Sequence, residues 1–143
     1  MLFHFSYLCN ASLFKNLLSV MMDFSIGLNY TSEIIVNHDN TAAKMESGDL
    51  PVFATPAMIA LMENASMNAV APCLDDSVTT VGGNINVSHL APTKIGVCVH
   101  AMAELVQVEG RKLTFKVVAT CEGKTIGEGT HVRYVVDRER FMK

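Results

Sequence analysis

The stretch from Pro51 to Val70, PVFATPAMIALMENASMNAV, constrains the fold most, because it reads as a long helix that is apolar around most of its circumference. Between Ala57 and Val70 only Glu63, Asn64, Ser66 and Asn68 are polar, which predicts a helix packed on more than one side with a carboxylate hidden in its middle. An ionised carboxylate out of water needs a partner or a raised pKa. The partner expected from the sequence is His89, in the next strand along the chain. Thr55 and Pro56 mark the helix start, with Thr expected to cap the exposed N–H groups and Pro suited to the first turn. Pro72 helps to end it.

Beyond the helix the hydrophobic period changes. From Thr79 onward apolar residues alternate with polar ones, the mark of strands. In IGVCVHAMAEL, Ile95, Val97, Val99, Ala101, Ala103 and Leu105 share one face, and in KLTFKVVATCE, Leu113, Phe115, Val117, Ala119 and Cys121 do the same. The segment TIGEGTHVRYVV offers Ile126, Val132, Tyr134 and Val136. Glycine-containing turns at VEGRK and at Glu122 to Lys124 predict tight hairpins and an antiparallel meander. With TTVGGNINVSHL, and an earlier strand within FSIGLNYTSEIIVN, the order is strand, loop, helix, four strands. His38 to Leu50 reads as a linker. One long apolar helix is best buried if a curved antiparallel sheet wraps it, an α+β hotdog domain. Its open edges favour pairing with a second copy.

With 143 residues, half of them hydrophobic, the chain supports one domain with a full core. The net charge of -3 and the lack of a basic cluster argue against nucleic acid as a partner. Cys9, Cys73, Cys98 and Cys121 lack CxxC spacing, so neither a zinc site nor a disulfide framework is expected, and a reducing, cytoplasmic setting is. Residues 1–21 stand apart from the domain expected over 22–143. Their first Lys, Lys15, comes too late for a signal peptide, and Asn10, Ser12, Lys15 and Asn16 interrupt any membrane span. An extension ahead of a start at Met21 or Met22 is the first reading, a short docking helix the second and a targeting peptide the last.

His89 shares a parity with Ile85 and Val87 and so points toward the helix. It reads either as a satisfied core histidine or, with Glu63, as half of an acid/base pair. Thr55 and Glu63 are roughly 80° and 12 Å apart on a regular helix, so a shared site needs a bridge through His89, substrate or a partner subunit. Gly82 and Gly83 suggest a bulge or a close backbone approach. Arg133 has the parity of Gly127, Gly129 and His131 and reads either as a residue lining a cleft or, the reading spacing alone favours, as a solvated face residue.

Four ordered motifs, LPVFATPAMIALMENAS, VGGNINVSHLAPT, VEGRKLTF and GEGTHVRYVVDRERF, resemble the fluoroacetyl-CoA thioesterase-like group of hotdog thioesterases over most of Asp23 to Met142. The resemblance implies a hotdog enzyme, a homodimer or a tetramer, that hydrolyses an acyl-CoA to free acid and CoA, with no metal and no cofactor beyond the CoA of its substrate. It places the family's catalytic residues on Thr55, Glu63 and His89 and its substrate contacts on Gly82 and Arg133. The fluoroacetyl-specific enzyme carries phenylalanines in a longer segment before the helix, whereas Thr41 to Leu50, TAAKMESGDL, is short and has none. A general short or medium acyl-CoA is therefore the expected substrate. Two other classes use the same features: a noncatalytic acyl-CoA binding module, and an acyl-CoA hydratase or dehydratase.

Overall fold

The computed structural model describes residues 22–143; the extension expected over 1–21 lies outside the described residues. Five antiparallel strands form one sheet in the order β1-β3-β4-β5-β2. Here β1 is Asn29–Ile35, β2 Val78–His89, β3 Cys98–Glu109, β4 Lys112–Cys121 and β5 Lys124–Asp137. The helices are α1 (Ala42–Met45), α2 (Thr55–Val70) and α3 (Arg138–Phe141). The meander β3-β4-β5 turns where the glycines allow it: Gly110 and Gly123 have φ of 60° and 75°. The segment read as a linker folds into a 3-10 turn at His38–Asn40 and then α1, capped by Thr41.

The sheet curves around α2 as a half-barrel, the expected hotdog arrangement. Val99, Ala101, Ala103 and Leu105 of β3 and Leu113, Phe115, Val117 and Ala119 of β4 are buried in one cluster with Met58, Met62 and Ala65 of α2. Ile95 precedes β3 and is exposed. A half-barrel covers one side of a helix, so α2 is not enclosed all round: Pro56, Ala60, Asn64 and Met67 form an exposed stripe. Glu63 stands at the margin of that stripe with 41% of its side chain exposed, not hidden as the sequence suggested.

The other departure lies in β5. Its inward residues are His131, Arg133 and Val135, while Tyr134 is exposed. Pairing with β4 passes from Ala119↔Gly127 to Thr120↔Thr125, leaving Ile126 as an extra residue. Such a bulge reverses the alternation, so Ile126 and Gly127 are both buried and the faces switch beyond them. A second irregularity, between Gly82 and Asn84, leaves Gly83 unpaired in β2, as its glycines suggested. Among the described residues no helix is long and apolar enough to cross a membrane.

Candidate active site

Thr55 opens α2 but does not cap it. The cap position is Ala54, which has no side-chain capping bond, and Pro56 occupies the first turn. The Thr55 hydroxyl instead lies 2.8 Å from Nδ1 of His89, across from the end of β2. His89 and Thr55 line an open cleft of about 290 Å³ with Ala42, Val52, Phe53 and Leu90. Burial lowers the His89 pKa below its ordinary value, so the ring favours the neutral form that accepts a proton. Its Nε2 is buried without a hydrogen-bond partner among the described residues.

Glu63 does not meet His89. Its carboxylate faces Arg133, with Nη1 3.4 Å from Oε2, and His131, with Nε2 3.8 Å from the same oxygen. The pairing expected from the sequence fails because the facing element at that point of α2 is β5, whose bulge turns Arg133 inward. Arg133 is 6% exposed, which overturns its reading as a surface residue. Its guanidinium donates from Nε to Thr80 Oγ1 at 2.8 Å and from Nη2 to the Thr80 carbonyl at 2.9 Å. Gly82 is the cross-strand partner of Arg133. A Cβ at Gly82 would lie 2.6 Å from Glu63 Oε2, so this glycine admits the carboxylate.

The remaining member was not singled out from the sequence. His131, 1% exposed, lies with Nδ1 2.7 Å from the Asn84 carbonyl and Nε2 3.1 Å from Arg133 Nη1. The carbonyl can only accept and the guanidinium can only donate, so Nδ1 bears the proton, Nε2 accepts, and the imidazole is neutral. Burial lowers its pKa, and the Arg133 charge pushes the same way. Its parity with Arg133 was visible in GEGTHVRY; Thr80, on another strand, left no local signal.

The five candidates thus form two groups: Thr55 with His89, and Glu63 with Gly82 and Arg133. Eight residues of helix, about 12 Å, separate them, and no hydrogen bond or ion pair joins them among the described residues. The first group offers a hydroxyl and a base, the second a carboxylate, a cation and an open backbone.

A family model described as fluoroacetyl-CoA-specific thioesterase matches residues 36–139. A fluoroacetyl-CoA thioesterase of Streptantibioticus cattleyicolor is 38% identical over 122 residues, spanning 81% of this chain and 88% of the relative. A solved fluoroacetyl-CoA thioesterase variant in complex with acetyl-CoA superposes with a TM-score of 0.79 at 34% identity, over 83% of this chain and 94% of the other. A thioesterase superfamily member from Thermus thermophilus gives the same TM-score at 27% identity, over 85% and 90% of the two chains.

Proposed function

The chain belongs to the family of fluoroacetyl-CoA-specific thioesterases, and on that premise we propose that it hydrolyses a short or medium acyl-CoA to the free acid and CoA. The observation that carries the mechanism is the 2.8 Å contact between Thr55 Oγ1 and His89 Nδ1 at the cleft. His89 takes a proton from the Thr55 hydroxyl, or from water placed by it, as the oxygen adds to the thioester carbonyl. The tetrahedral oxyanion collapses, the C–S bond breaks, and the proton returns from His89 to the departing CoA thiolate. Attack by Thr55 leaves an acyl ester that a water, activated by the same imidazole, cleaves; attack by water gives the acid at once. Backbone N–H groups at the uncapped start of α2 are suited to the oxyanion, a role worth about 3 to 4 kcal/mol per donor in other enzymes. No cofactor enters beyond the CoA that the substrate brings.

Glu63, Gly82 and Arg133 act on the same substrate through a homodimer. Strand β2 is an edge of the sheet, and an unpaired edge is a template for another strand. Antiparallel pairing of β2 with its copy puts the His89 end of one protomer against the Gly82 end of the other, which closes each site from two halves. The cleft walls beside Thr55 include the small Ala42 and Ser47, with no phenylalanine in α1 to close over a two-carbon acyl group. Discrimination of fluoroacetyl-CoA from acetyl-CoA is therefore expected to be weak.

The test is thiol release from a panel of acyl-CoAs by the wild type, His89→Ala and Glu63→Gln. His89→Ala should lower kcat by about 10²–10⁴-fold. Absence of hydrolysis above background across the panel, or full rates in both variants, rejects the reading.

A further inference from the structure

We propose that Glu33, Cys98 and His100 form a zinc-type metal site on the outer face of the sheet, clipping the edge strand β1 to β3. Cys98 and His100 are two apart on one strand and so project together, on the side opposite the buried Val99 and Ala101. Glu33 is the direct cross-strand partner of His100. Two residues at i and i+2 with a third opposite one of them bring three side chains to a single point above a sheet.

The distances suit a tetrahedral ion. His100 Nε2 lies 3.2 Å from Glu33 Oε2 and 3.9 Å from Cys98 Sγ, and all three donor atoms fall within 4.8 Å of one another. Tetrahedral zinc bound at its usual bond lengths holds nitrogen and oxygen about 3.4 Å apart and nitrogen and sulfur about 3.6 Å apart. The ion can therefore be seated by side-chain adjustment alone. One thiolate, one imidazole and one carboxylate match the borderline-soft preference of Zn²⁺ and leave a fourth position for water. On binding, the Cys98 S–H bond breaks, its proton goes to solvent and the sulfur–metal bond forms, so one proton leaves per ion. The two anionic ligands then balance the charge of the cation.

Without a metal the cluster has little structural purpose. The His100 and Glu33 side chains are 46% and 70% exposed, and exposed ion pairs contribute little to stability. Cysteine spacing along the chain overlooks the cluster, because one ligand comes from β1 and two from β3. This site lies outside the cleft, and the proposal does not depend on the hydrolase reading.

The experiment is a titration of the reduced full chain with Co²⁺, tracked by absorbance, then displacement by Zn²⁺ and thermal melts with Zn²⁺ or a chelator. One equivalent of Co²⁺ should give a thiolate-to-cobalt charge-transfer band that Zn²⁺ abolishes, and Zn²⁺ should raise Tm. Cys98→Ser should remove the band, Cys73→Ser should keep it, and His100→Ala should weaken binding at least about tenfold. All three variants should retain acyl-CoA hydrolysis. A wild type without the band, or a band that survives in Cys98→Ser, overturns the proposal.

Discussion

Thr55 is the residue whose position says most, because it sits where a capping hydroxyl would be expected one residue earlier and spends its oxygen on His89 instead. A true N-cap threonine costs about 0.5–2 kcal/mol when replaced by alanine. Thr55→Ala should therefore forfeit no capping energy and cost at most about 1 kcal/mol in urea unfolding, the worth of its bond to His89, while thioester hydrolysis collapses. The two histidines set the acid side of the behaviour. Both His89 and His131 have pKa values lowered by burial, so on acidification the unfolded chain, near its ordinary value of about 6.5, takes up protons before the native one does. Stability then falls as pH drops from about 6.5 toward the native values, and above that window these groups add no pH dependence. Protonated His131 also loses its acceptor for Arg133. The acid limb of kcat/KM should accordingly lie below about 6.5, and chemical unfolding at a series of pH values should show the matching decline.

Among the elements, glycines separate stability from chemistry. Gly82→Ala meets the flexible end of Glu63 at 2.6 Å and the ring of buried His131 at 3.3 Å, so the fold should survive with a small loss of Tm while the carboxylate is pushed aside and turnover drops. Gly129→Ala meets the backbone of Asn86 and Val87, which cannot yield without opening the β2–β5 pairing. It should cost about 1–3 kcal/mol in denaturant unfolding. The same contrast explains which features were legible in the sequence. Helix α2 ends at Val70 as its pattern and Pro72 foretell, and the hairpins at Gly110 and Gly123 arise from local turn chemistry. The inward set of β3 and β4 comes from simple alternation. The partner of Glu63 was not legible, because it depends on which residue of a distant strand faces α2; Gly127 is a local cue to the bulge, but not to the extra residue's effect on Arg133. Thr55 as cap failed by a single position, within which local signals do not discriminate.

At the scale of the molecule, the two groups of candidate residues meet the edge strand at different points, His89 and Gly82, and the proposed homodimer is what would unite them. Mixing inactive His89→Ala and Glu63→Gln subunits tests it directly. Random reassortment should restore about a quarter of wild-type activity, since half the dimers are mixed and each has one intact site of two. A site complete within one chain would restore none. The polarity of the half-barrel's lining along β5 rests on one supernumerary residue. Were the alternation carried on past Ile126 with no extra residue, His131 and Arg133 would face solvent and Tyr134 the helix. The strand behaves like a message with a reading frame: it tolerates many misspellings, but the loss of one character inverts the meaning of every later word.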